Sequence, residues 1–107
     1  MKNSDSLPLV HSVYFTLKDS SAESCEKFRA ACRKYLAGHP GSVHFSAGYL
    51  ADQYDRPVND REFHVAVVGV FENAAAHDAY QVSDRHNQFL AEQAENWSQV
   101  RVFDAVG

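Results

Sequence analysis

The chain has 107 residues, 45% of them hydrophobic and 22% charged, with a formal net charge of -4. A sequence of this length is expected to form one domain, residues 1–107, burying about two-thirds of its unfolded surface and needing no disulfide or structural metal to hold its core. The acidic balance and the lack of a Lys/Arg stripe argue against nucleic acid as partner, and no apolar run approaches a membrane span or a secretory signal, so a cytoplasmic protein is expected.

From Leu9 to Lys18 the chain alternates. Leu9, His11, Val13, Phe15 and Leu17 share one face, and Val10, Ser12, Tyr14 and Thr16 the other. This period of two, rich in β-branched and aromatic residues, predicts a central strand covered on both sides. Ser20 and Glu23 then have capping-box spacing, with Ser21 or Asp19 as alternative caps. Ala22, Cys25, Phe28, Cys32, Tyr35 and Leu36 recur at helical intervals until Gly38 and Pro40-Gly41 end the helix. The two cysteines stand about 10.5 Å apart along such a helix, at about 1.5 Å per residue. That is beyond disulfide reach, so they are read as small, reduced core residues.

Val43, Phe45, Ala47 and Tyr49 alternate again as a second strand, in which Gly48 predicts a bulge or a close backbone approach. Asp52 to Arg61 is polar, holds Pro57 and is expected to be an exposed loop. Phe63 to Phe71 is the apolar third strand, and Asn73 caps a helix running through Tyr80. Ser83 and Asp84 break it and cap a last helix, with His86, Phe89, Leu90, Gln93 and Trp97 on one side. Val100 to Val106 closes the chain as a fourth strand.

The order predicts an α+β domain of ferredoxin-like β-α-β-β-α-β type, a four-stranded antiparallel sheet with helices on one face. The other face still carries apolar groups, and a second copy of the chain is the simplest cover, so a homodimer is expected.

Several polar side chains interrupt apolar faces. His86 lies in step with Phe89, Leu90 and Trp97, where an imidazole could act as general base or be a buried residue bonded to a carbonyl or carboxylate. Tyr80 could donate its phenol to a developing oxyanion or be an amphipathic core residue. His64, among Ala66, Val68 and Val70, and His11, among Leu9, Val13 and Phe15, could each orient a substrate oxygen or be satisfied structural histidines. His11 and His64 fall about 20 Å apart along paired strands at about 3.3 Å per residue, so no single ion joins them. The sequence shows no His-x-x-x-His pair or Cys/His cluster, and no metal site is expected. His39, His44 and His77 are read as surface or turn residues.

Val10-His11-Ser12-Val13-Tyr14-Phe15, the Pro40-Gly41 turn, Phe63-His64-Val65-Ala66-Val67-Val68, Phe71-Glu72, Tyr80, His86, Phe89 and Val100-Arg101-Val102-Phe103-Asp104 follow one another in an order that resembles the stress-responsive dimeric A/B barrel family. The resemblance runs from about Leu9 to Val106. It implies ferredoxin-like protomers whose sheets pack face to face as a dimeric α+β barrel. Most members have no established activity. One, a plant polyketide cyclase, closes a linear tetraketide by aldol condensation without a cofactor, using a Tyr and a His six residues apart and further histidines from the first and third strands. The resemblance places Tyr80 and His86 in the catalytic roles, with His11 and His64 binding substrate. Where the family often has His-Pro before the helix histidine, this chain has Ser83-Asp84.

Three functions follow as alternatives. One is a cofactor-independent cyclase or lyase acting on a small apolar, polyketide-like carbonyl compound. Another is a non-catalytic module binding a small apolar ligand, and the last is a structural dimer whose cavity is filled by its own aromatic residues. Haem-degrading and quinol-oxidising monooxygenases of the same superfamily rank below these.

Overall fold

The structure, a computed structural model, describes residues 6–107, so the first five residues of the expected domain lie outside the described residues. The alternation in the first strand survives in space. In β1 (Leu9–Leu17) every odd residue is buried and every even one half-buried, because the odd face meets the helices. β2 (Ser42–Tyr49), β3 (Val65–Phe71) and β4 (Trp97–Val106) complete an antiparallel sheet of order β2-β3-β1-β4. Among the described residues three α-helices accompany it: α1 (Ala22–Leu36), α2 (Ala74–Gln81) and α3 (Asp84–Gln93). The order β-α-β-β-α-α-β is the expected ferredoxin-like α+β fold, with the second helical segment divided in two.

Between helices and sheet, Phe15, Phe28, Phe89 and Trp97 form a mutual ring cluster; the Phe15 and Phe28 centroids are 4.8 Å apart, edge to face. Such pairs add about 0.5–1.5 kcal/mol beyond the area they bury. Cys32 is fully buried in this core and Cys25 half-buried, both as free thiols.

Local chemistry moves several predicted boundaries. The first cap is Ser21, whose hydroxyl accepts from the Ser24 amide at 3.2 Å, while Asp19 accepts from the Ser21 amide and the Ser24 hydroxyl. Ser24 has no carboxylate to reach back with, so the reciprocal capping box does not form. β3 begins at Val65 rather than Phe63: the Leu17 amide donates to His64 Nδ1 at 2.9 Å instead of to a backbone carbonyl, and the Phe63 ring meets the Tyr14 ring edge-on at 5.0 Å. β4 begins three residues earlier than expected, at Trp97, after a single 3-10 turn, Ala94–Asn96. Trp97 therefore joins the core from a strand, and Leu90, expected on the same helical side, is 41% exposed. The close approach predicted at Gly48 is found at Gly41 instead. A Cβ at Gly48 would meet nothing within 4 Å, whereas one at Gly41 (φ +81°) would collide with the Ala76 Cβ. The β2–β3 irregularity likewise falls between Ser42 and His44.

The face without helices carries Val10, Tyr14, Val68, Val70 and Phe103, placed together by the strand registers. The loop before β3 reaches onto its edge, where Arg101 grips the Asp60 carboxylate through both guanidinium nitrogens. Phe103 remains 57% exposed there.

Candidate functional site

Register decides which side chains can meet beneath the helices. On β1, His11 pairs with Asp104 of β4, so the two side chains leave the sheet on the same face. His11 Nδ1 lies 2.5 Å from Asp104 Oδ1. The histidine is 5% exposed, while the aspartate sits on an edge strand with its side chain 40% exposed.

α2 roofs this pair. Asn73 starts the helix by accepting from the Ala76 amide at 2.9 Å. Positions His77 and Tyr80, three apart, then fall on the face turned toward the sheet and are both buried. His77 Nε2 reaches His11 Nδ1 at 3.2 Å and lies 4.0 Å from Asp104 Oδ1. The Tyr80 ring is edge-on to the His11 ring at 6.0 Å and packs against Phe71 at 4.9 Å.

The break between α2 and α3 brings Tyr80 and His86 together. One hydroxyl controls it. Ser83 Oγ donates to the Tyr80 carbonyl at 2.8 Å and accepts from the His86 amide at 3.2 Å, ending one helix and capping the next. The Tyr80 and His86 rings consequently meet edge-on, 4.9 Å between centroids. His39, in the turn after α1, closes the other side of Tyr80 at 4.8 Å and fixes its own ring by donating from Nε2 to the Tyr35 carbonyl at 2.7 Å.

The electrostatics follow from this crowding. Burial pushes the Tyr80 phenol well above its usual range, so it stays protonated as a donor. Burial, then the neighbouring His11, His39 and His77, holds His86 below the usual imidazole value. Burial and His11 likewise depress His77, against the pull of Asp104. Among the described residues, His86 Nδ1 is buried without a hydrogen-bond partner, an atom positioned to accept or donate a proton. The cluster is packed rather than hollow: Tyr80 is 4% exposed and His11 and His77 5% each, while His86 is half-buried and the Asp104 side chain 40% exposed.

Of the four residues singled out from sequence, Tyr80, His86 and His11 come together and His64 does not. His64 lies beyond the start of β3, at the opposite end of β1, where its amide donates to the Phe15 carbonyl at 2.8 Å. Its Nδ1 accepts the Leu17 amide at 2.9 Å, replacing the ladder partner that β3 no longer supplies. Its ring lines a separate recess with Cys25, Tyr49 and Phe63. His77 and His39, read as surface or turn residues, are 5% and 7% exposed. His39 does sit in a turn, but its ring is drawn inward by the Tyr35 carbonyl; His77 is carried inward by its spacing from Tyr80. His44 is exposed, as expected. Asp104 was missed. Its signal lay in the pairing of two edge-to-centre strands, not in spacing along the chain.

The family model described as Stress responsive A/B Barrel Domain matches residues 9–106. Among solved structures, the chain is similar to a Dabb family protein with a ferredoxin-like fold from Mesorhizobium loti, at 25% identity and TM-score 0.77, over 94% of this chain and 97% of that one. It is similar to a dimeric ferredoxin-like protein of unknown function from Thermobifida fusca at 20% identity and TM-score 0.75, over 94% and 92% of the two chains. A hydroxynitrile lyase from Passiflora edulis shares the fold at 17% identity and TM-score 0.75, over 95% and 94%. No curated protein matches the sequence.

Proposed function

The chain belongs to the stress-responsive A/B barrel domain family, and from that premise we propose that it is an acid–base catalyst of the cyclase or lyase type, acting on a small, largely apolar carbonyl compound. The observation that carries this reading is the Tyr80–His86 pair: a phenol kept protonated by burial, edge-on to an imidazole whose buried Nδ1 has no partner among the described residues. In the proposed step His86 takes a proton from the carbon next to a carbonyl. The C–H bond breaks, its electron pair passes to the carbonyl oxygen as an enolate, and the Tyr80 hydroxyl donates to that oxygen. The enolate carbon then attacks a second carbonyl carbon, whose oxygen recovers the proton from His86. His11, oriented by Asp104, supports substrate binding from the sheet side. A lyase among structures of the same fold suits this chemistry without specifying the substrate.

Tyr80→Phe and His86→Ala should each lower turnover of a responsive carbonyl substrate by at least about tenfold in a folded protein, the lower end of what one positioned acid or base contributes. Unchanged rates in both variants would remove the assignment. A second reading, a structural dimer whose cavity is filled by its own side chains, is favoured by the tight packing of Tyr80, 4% exposed. No thermal stabilisation by aromatic or polyketide-like compounds, and no product in mass spectrometry, would select it.

The proposed assembly is a homodimer closed over the helix-free face. The dimeric relative from Thermobifida fusca and the exposed Phe103 support it.

A further inference from the structure

We propose that His11, His77 and Asp104 form a binding site for a divalent transition-metal ion, zinc first among them. The ligand atoms, His11 Nδ1, His77 Nε2 and one Asp104 carboxylate oxygen, all lie within 4.8 Å of one another. They come from β1, α2 and β4, so a central strand, a capped helix and an edge strand aim them at one point. Two imidazoles and a carboxylate make a borderline donor set that suits zinc, and three protein ligands leave a fourth position for water. That position faces the solvent side, since Asp104 is the exposed member of the trio.

The hydrogen bonding within the trio is itself unbalanced. His11 Nδ1 has a single in-plane valence, yet Asp104 Oδ1 at 2.5 Å and His77 Nε2 at 3.2 Å both address it. If that nitrogen carries a proton, Asp104 takes it and a His77 N–H finds no acceptor there. If it is bare, His77 can donate and the carboxylate faces a lone pair. An ion at the centre ends the competition, because each of the three atoms then offers it a lone pair.

The distances fit a four-coordinate site after one small movement. Ligand bonds of about 2.0–2.1 Å in a tetrahedron separate the donor atoms by about 3.3 Å. The two imidazole nitrogens already stand 3.2 Å apart. The carboxylate oxygen is too close to His11, at 2.5 Å, and too far from His77, at 4.0 Å. Swinging it from one toward the other corrects both separations at once. Asp104 is free to do so on its exposed edge strand, and neither buried ring has to move.

The test is binding, so it stands apart from the cyclase or lyase reading, whose failure would leave it untouched. Chelator-treated protein is titrated with Co2+, the spectroscopic stand-in for zinc, and then with Zn2+ or Mg2+ by calorimetry. The expected result is one Co2+ per chain with the intense visible bands of tetrahedral coordination, displaced by Zn2+ and not by Mg2+. His77→Ala and Asp104→Asn should each weaken Zn2+ by at least about 100-fold, the upper range even for groups that only support a ligand. Asp104→Asn changes little volume at an exposed position, so it keeps the test decisive if His77→Ala does not fold. No stoichiometric Zn2+ binding, Mg2+ binding as tight as Zn2+, or Zn2+ affinity unchanged in the folded variants would each overturn the proposal; the last would place the ion on surface groups such as His44.

Discussion

His86 shows how one residue carries both a proposed chemical role and a cost to the fold. Its ring meets Tyr80 of α2 edge-on, and the charges of three further histidines reach it: His77 of α2, His11 of β1 and His39 in the turn after α1. Its imidazole is held below the ordinary value of 6.5, first by burial and then by the other histidines. The unfolded chain therefore binds a proton more readily than the folded one below about pH 6.5. Stability should be flat above that pH and decline as pH falls from about 6.5 through the folded value. Urea unfolding of the metal-free protein between about pH 7.5 and pH 5 should show this slope, and His86→Gln should make it shallower, leaving the share of His77, which burial also depresses. An unchanged slope would mean that His86 is not the group responsible. The carboxylates act elsewhere on the scale. Asp60, held down to about 2 by its hydrogen bond from Arg101, loses its contribution as pH falls from about 3.8 through about 2.

At the scale of the element, the junction between α2 and α3 is the device that makes the site. Ser83 supplies the cap of α3 and the tie to the Tyr80 carbonyl from one oxygen, while Arg85, two residues on, donates to the Lys34 and Ala37 carbonyls at the end of α1. Ser83→Ala removes the cap and should cost about 1 kcal/mol in denaturant unfolding. It should also release His86 from Tyr80, so the ring contact weakens beyond what the stability loss alone would bring; NMR shifts of the His86 ring would report it. The sequence carried this junction in plain view, because Ser and Asp before a helical run are a capping signal whose chemistry is local. The alternation of β1 and the periodicity of α1 were legible for the same reason. The pairing of His11 with Asp104 was not, since it depends on a register between residues 93 apart in the chain. His64 misled in the opposite way. Its alternation with Ala66 and Val68 continued past the point where β3 begins, so a residue that seals the end of a strand ladder had the pattern of one facing the same site as His11.

For the whole molecule, the question is what covers the sheet opposite the helices. That face is half-buried even in the isolated chain, because Tyr14 stands between Phe63 and Phe103, at 5.0 and 5.8 Å, and the Asp60–Arg101 pair closes one edge. Val68 lies toward its middle, between Ser12 of β1 and Ser46 of β2, with Val10 and Val70 nearby. An identical face laid against it would bury these groups without asking any helix to move. Val68→Arg tests this directly. Within one chain the side chain is only half-buried, so the long arginine stem can turn to water at little cost to folding. In a closed dimer two such charges would meet in a dry interface, at a cost of about 3–5 kcal/mol for an unpaired buried charge. Sedimentation velocity should accordingly find the parent chain as a dimer at micromolar concentration and the variant as a folded monomer. If the parent itself sediments as a monomer, the helix-free face needs no second copy. If the variant stays dimeric, the two chains meet through some other surface.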